Sequence, residues 1–211
     1  MQSAGDKFPS RRYVSADGYF AAYRDNIVRG WSTVDPARVV QAAQLLQDCL
    51  ARDGVVFTCG NGGSAAIANH LLCDYHKGVQ TDTAARPRVA SLSSHIELLT
   101  AIGNDIGYEE VFVYQLKGMA RPGDLLLTIS SSGDSENIVR AATWAKQNAI
   151  PVISLVGFSG GRCKSIADVA IHVAADNYGI VEDVHQSIMH VLTQYLRQSM
   201  MRPDRISECE F

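Results

Sequence analysis

Apolar positions along the chain follow two rhythms, and the change from one to the other comes near residue 54. From Asp17 to Trp31 they recur at Phe20, Tyr23, Ile27 and Trp31, steps of three and four that predict a helix. Asp35-Pro36 then gives an acidic cap followed by proline at a first helical position. A second helix runs through Val39, Leu45, Leu46, Cys49 and Leu50 until Asp53-Gly54 stops it. Beyond that point short apolar runs alternate with helical stretches. Val55–Cys59, Arg88–Leu92, Asp124–Ser130, Val152–Val156 and Val169–Val173 read as strands. Helices are expected at about 65–77, 109–120 and 136–148, with a weaker one near 97–102 and a long last one at about 181–200. Strands apolar on both faces and separated by helices imply an α/β fold. The expectation is a five-stranded parallel sheet flanked by helices, a flavodoxin-like three-layer sandwich, behind an N-terminal helical pair.

Length and charge narrow the field. A chain of 211 residues buries a sufficient core as one domain without disulfides or metals to staple it. A formal charge of -3 with no Lys/Arg cluster gives no footprint for nucleic acid or for an anionic membrane. The five cysteines are odd in number and lack C-x-x-C spacing, which reads as reduced thiols. No apolar run approaches the roughly 20 residues of a membrane span, and the first residues have no apolar segment of a secretion signal, so a cytoplasmic protein is expected.

Chemistry concentrates in two loops. The first strand runs into Gly60-Asn61-Gly62-Gly63-Ser64, with a helix starting at about Ala65. Glycines allow close approach of a ligand, and free N–H groups at a helix start favour an anion. Gly60, Gly62 and Ala65 also satisfy G-x-G-x-x-A, so a dinucleotide site is an alternative. That site expects an acidic residue at the end of the next strand, whereas Arg88–Ser94 ends without one, and no Gly-Lys-Ser/Thr marks a P-loop. A glycine turn that only packs helix on sheet is the third reading. The second loop, Ser130-Ser131-Ser132-Gly133-Asp134-Ser135, leads from a strand into a helix beginning at Glu136. Four hydroxyls and a helix N-terminus hold a phosphate monoester without a lysine. Two such loops at carboxyl ends of parallel strands lie where open α/β sheets bind ligands.

The strand-Gly-Asn-Gly-Gly-Ser unit, followed some 65 residues later by strand-Ile-Ser-Ser-Ser-Gly-Asp-Ser, resembles the SIS (sugar isomerase) domain. The resemblance runs from about residue 17 to 200 and is nearest to the phosphoheptose isomerases, which convert sedoheptulose 7-phosphate to a heptose 7-phosphate. It implies a SIS domain over 16–202, N-terminal helices included, between a mobile tail at 1–15 and a C-terminal tail at 203–211. It implies a sugar phosphate bound by Asn61, Gly62, Gly63 and Ser64 with Ser130, Ser131, Ser132 and Ser135. It implies a homotetramer, no nucleotide, and Zn²⁺ on His70, Asp74, Glu182 and His190, with Asp74 as base and His190 as acid. His70 and Asp74 are spaced i, i+4 and share a helix face; Glu182 and His190 lie two turns apart on the last helix.

Several positions depart from the family pattern. Asp74 stands where relatives have Glu and Glu182 where they have Gln. His95 replaces an aspartate, and the stretch from Asp176 to Val181 is short. His185 reads as a packing or interface histidine. These departures keep two rivals in view: a sugar-phosphate-binding or protein-bridging SIS protein without turnover, and an isomerase of another ketose phosphate.

Overall fold

The computed structural model describes residues 7–211; residues 1–6 of the expected N-terminal tail lie outside the described residues. The helical pair forms as expected, α1 at Ala16–Ser32 and α2 at Pro36–Ala51, the latter capped by the Asp35 side chain on Ala37 N–H. Five strands follow: β1 Val55–Gly60, β2 Arg88–Ser91, β3 Leu125–Ser130, β4 Val152–Val156 and β5 Val169–His172. All neighbours pair in parallel in the order β2-β1-β3-β4-β5. The chain therefore leaves β1 toward one edge and returns to β3 on its other side, so the β1/β3 boundary is the point where strand order reverses.

Between the strands lie α3 at Gly63–Cys73, α4 at Ile96–Asp105, α5 at Val113–Met119, α6 at Glu136–Gln147 and α7 at Gly161–Ile166, and the chain closes with α8 at Tyr178–Met200. The helix expected over 109–120 is split, a 3₁₀ turn at Tyr108–Glu110 preceding α5. The helix expected to 77 changes at Asp74 into a π-helical turn, Asp74–Gly78. α7 was not expected, since six residues opened by Gly160-Gly161 carry no readable period.

Strand alternation divides the core between the two faces of the sheet. Leu125, Leu127 and Ile129 of β3 join Leu46, Ile67, Leu71 and Ile188 on the side of α2, α3 and α8. Leu126 joins Ile102, Phe112, Leu116 and Ile138 on the side of α4, α5 and α6. Burial on both faces explains why these strands read as unbroken apolar runs.

Both segments expected as tails are largely exposed where described, and each touches the domain through particular residues. Phe8 is buried, its ring against Tyr13, Tyr19 and Tyr23 and its carbonyl accepting from Asn177 Nδ2 at 3.0 Å. At the other end Arg197 donates to the Glu210 carbonyl at 2.7 Å and lies 4.6 Å over the Phe211 ring. All five cysteines are free, and no helix among the described residues is long and apolar enough to cross a membrane.

Candidate active site

The two loops leave the carboxyl ends of β1 and β3, adjacent strands whose register places Gly60 beside Ile129. They meet at a cavity of about 120 Å³ lined by Asn61, Ser64, Ile129, Ser130, Ser131, Ser132, Ser135, Tyr178 and Glu182. Six of the eight residues expected to bind phosphate are on that list. Gly62 and Gly63 form the start of α3 beside it, Gly62 at φ 53°, a left-handed conformation that glycine adopts without strain.

The helix caps show why this cavity suits an anion. The first turn of α8 is capped by its own Asn177 side chain, and that of α2 by Asp35. α3 and α6, which point their N-termini into the site, have no side-chain cap. Their first-turn N–H groups carry the positive end of the helix dipole. Within the serine loop Ser130 Oγ accepts from Gly133 N–H (3.1 Å) and Ser132 Oγ from Asp134 N–H (3.2 Å), which leaves both hydroxyl protons to donate outward. Ser131 Oγ, buried at 4% exposure, has no hydrogen-bond partner among the described residues.

The loop is held rigidly from behind. Asp134 pairs with Arg162 of α7, and Arg162 also reaches Glu136 at 2.9 Å. Arg162 holds the Asp134 carboxyl below the usual carboxylate range, and Arg140, then Arg162, do the same for Glu136. Gly133, at φ 65°, packs so closely on the Gly160 carbonyl that a Cβ there would overlap it.

The second half of the site lies further along α3 and α8. His70 Nε2 is 3.3 Å from Asp74 Oδ1, His190 Nε2 is 3.5 Å from Asp74 Oδ2, and the two imidazoles meet edge to face at 5.0 Å. One donor atom from each of the three lies within 4.8 Å of the others. Two imidazoles and a carboxylate at this spacing fit a divalent transition ion such as zinc. Asp74 falls where α3 passes into the π-helical turn, and its backbone remains right-handed there, so the i, i+4 relation to His70 survives.

Glu182 does not join this group. Its Oε1 sits 2.7 Å from where a Cβ on Gly63 would lie, at the phosphate cavity. The reason is helical rise: eight residues of α8 separate Glu182 from His190, about 12 Å along the axis. Burial, and then the neighbouring Asp183 charge, push the Glu182 carboxyl up.

Three residues not singled out from the sequence complete the picture. Asn137 of α6 exchanges two hydrogen bonds with Asn61, at 2.9 and 3.0 Å, and Tyr108 Oη donates to Asn61 Oδ1 at 2.9 Å. Gln186 Nε2 lies 3.0 Å from His190 Nε2 and 3.2 Å from His70 Nδ1. Its only sequence signal is the i, i+4 spacing to His190. His185 is fully buried, as a packing histidine would be, and His95 sits at the N-terminus of α4.

A parallel sheet with a glycine-rich and a serine-rich loop leading into uncapped helices at its switch point has the form of a sugar-phosphate-binding domain, and the SIS domain family matches residues 19–157. The phosphoheptose isomerase of Syntrophotalea carbinolica is 35% identical over 196 residues, 92% of this chain and 98% of that protein. That of Nitratiruptor sp. is 37% identical over 161 residues, covering 76% and 86%. The solved structure of the Neisseria gonorrhoeae phosphoheptose isomerase superposes with a TM-score of 0.80 at 30% identity, covering 87% of this chain and all of that one. The chain belongs to the phosphoheptose isomerase family of SIS-domain proteins.

Proposed function

We propose that this chain is an aldose–ketose isomerase that converts sedoheptulose 7-phosphate to D-glycero-D-manno-heptose 7-phosphate through an enediol. The observation that carries the reading is the arrangement of two unlike sites along α3 and α8. An anion cradle faces Gly63 and Glu182, and an imidazole–carboxylate group lies at His70, Asp74 and His190. Their separation, about 12 Å of helix rise, suits an extended seven-carbon chain with phosphate at one end and the reacting carbons at the other.

In this reading the N–H groups opening α3 and α6, with the hydroxyls of Ser64, Ser130, Ser131, Ser132 and Ser135, bind and orient the phosphate. Asp74 removes the C1 proton of the ketose while His190 Nε2 gives a proton to the C2 carbonyl oxygen, forming the enediol. Return of a proton to C2, and loss of one from the C1 hydroxyl, complete the aldose. Asp74 has one oxygen toward each histidine, so it holds both rings while presenting a carboxylate to substrate. A zinc ion held by His70, Asp74 and His190 supplies the same polarisation of the carbonyl oxygen when bound.

The reading includes a cytoplasmic homotetramer. Phe20 and Val28 of α1 and Val191 and Tyr195 of α8 are large apolar side chains left exposed on the single chain. His70 and His190 are also half open to solvent, which a neighbouring subunit would close. Turnover of sedoheptulose 7-phosphate by the zinc-loaded protein, followed by NMR, tests the assignment. Formation of the heptose 7-phosphate supports it, and saturable binding without product overturns it.

A further inference from the structure

Four residues of α8 stand four apart along one ridge of the helix: Tyr178, Glu182, Gln186 and His190. The line runs from the phosphate cavity, which Tyr178 and Glu182 help to enclose, to the imidazole group at His190. Tyr178 lies at its outer end, about 6 Å of helix rise beyond Glu182 and on the side away from His190. Within the cavity Ser64, Ser130 and Ser131 are buried and form the floor, whereas Tyr178 is 61% exposed and forms the rim. Its ring is braced from behind, the centroid lying 4.9 Å from that of Phe158. Phe158 has φ 48°, a left-handed conformation that strains an aromatic residue. Such strain persists only where neighbours over-determine the backbone, and here they do. Phe158 N–H donates to the Ala175 carbonyl at 3.1 Å, and the Phe158 carbonyl accepts from His172 Nε2 at 2.8 Å. The preceding Gly157 N–H donates to the Ser131 carbonyl at 2.9 Å, so the brace is tied to the serine loop itself.

We propose that Tyr178, braced by Phe158, is the outer wall of the phosphate site and selects phosphate monoesters over diesters. The sugar leaves the cradle toward His190, so a monoester seated on the serine floor turns its free oxygens to the two loops and to the phenol. Tyr178 Oη, the one phenol among the lining residues, donates to one of those oxygens. A phosphodiester, such as a nucleotide-linked sugar, carries a second ester chain in place of a free oxygen, and that chain runs into the ring. The wall therefore admits a free sugar phosphate and excludes a sugar still joined to a carrier through its phosphate. The role rests on the phosphate reading of the cradle and is independent of turnover and of which sugar phosphate binds.

Calorimetric titration of the full chain with ethyl phosphate, a monoester, and diethyl phosphate, a diester, tests the assignment. The unaltered protein binds ethyl phosphate and binds diethyl phosphate far more weakly. In Tyr178→Ala diethyl phosphate binds at least about tenfold more tightly than in the unaltered protein, because the obstructing ring is gone. Tyr178→Phe keeps the ring and loses the hydroxyl, so ethyl phosphate weakens by about tenfold while diethyl phosphate stays excluded. Phe158→Gly, which suits the left-handed backbone, removes the brace and admits the diester as Tyr178→Ala does. Melting and light scattering show that the variants are folded and assembled like the unaltered protein. Diethyl phosphate affinity unchanged in Tyr178→Ala overturns the wall and leaves the cradle standing. Absence of ethyl phosphate binding to the unaltered protein overturns both, and turnover then judges the isomerase reading separately.

Discussion

Asn61 and Asn137 hold each other through a reciprocal pair of amide hydrogen bonds, Asn61 Nδ2 to Asn137 Oδ1 at 2.9 Å and Asn137 Nδ2 to Asn61 Oδ1 at 3.0 Å. The pair ties the glycine loop after β1 to the first turn of α6, so one contact sets the distance between the two halves of the phosphate cradle. Asn137 is 2% exposed and touches the cavity only through its partner. Replacing it with alanine leaves Asn61 short of two bonds in a partly buried place, a cost of about 1–3 kcal/mol. The expected result for Asn137→Ala is a raised KM for the sugar phosphate with a smaller change in kcat, measured by steady-state kinetics beside a denaturation curve.

Gly133 is the tightest point of the serine loop. Its left-handed φ of 65° and its contact with the Gly160 carbonyl both exclude a Cβ. Gly133→Ala therefore pushes the loop off α7 and costs about 1–3 kcal/mol of strain. Inorganic phosphate binding, followed by calorimetry, is expected to fall at least about tenfold if the cradle loses even one such charged hydrogen bond.

Burial lowers the pKa of His185 from 6.5 to about 4. Between those values the unfolded chain binds a proton at this residue and the folded chain does not, so stability rises with pH across that window and falls on acidification. The contribution is up to about 1.4 kcal/mol per pH unit below 6.5. Denaturant unfolding of metal-free protein at pH 7 and pH 5 is expected to show this loss, and His185→Phe is expected to reduce the difference between the two.

Arg197 fastens the C-terminal segment. It is 8% exposed, pairs with Asp82 at 2.9 Å, and donates to the carbonyls of Thr81 (3.2 Å) and Glu210 (2.7 Å). Removing it costs one ion pair and two carbonyl hydrogen bonds, so Arg197→Ala is expected to lower the melting temperature, but by less than the loss of a fully buried pair because Asp82 is open to solvent. Arg197→Lys is expected to recover only part of that, because ammonium lacks the planar fork. Thermal melting with limited proteolysis near Cys209 checks both.

The fold was legible wherever burial was two-sided and the period regular. β3 and β4 read as continuous apolar runs because each packs on helices at both faces, and α6 and α8 announced themselves through apolar faces long enough to count. α7 and the π-helical turn after Cys73 were not legible, because six residues carry no period and a π turn depends on its packing. The same contrast holds in the site. The glycine and serine loops and the His70–Asp74 spacing are local patterns. The Asn61–Asn137 pair spans 76 residues and the Gln186–His70 contact 116, and neither has a local signature. Glu182 stands at the phosphate cavity in the single chain, and the sequence offset of eight from His190 does not by itself say which of the two places its carboxylate takes.

Proton transfer at Asp74 is the central chemical claim, and deuterium reports it directly. Sedoheptulose 7-phosphate is incubated in D₂O with the zinc-loaded protein and with Asp74→Asn, and C2 of the heptose product is read by NMR. The account predicts solvent deuterium at C2 with the unaltered protein, and loss of both product and exchange, by at least about a thousandfold, with Asp74→Asn, since general-base catalysis contributes up to about 10⁴-fold. Product formed at an undiminished rate by Asp74→Asn would contradict it.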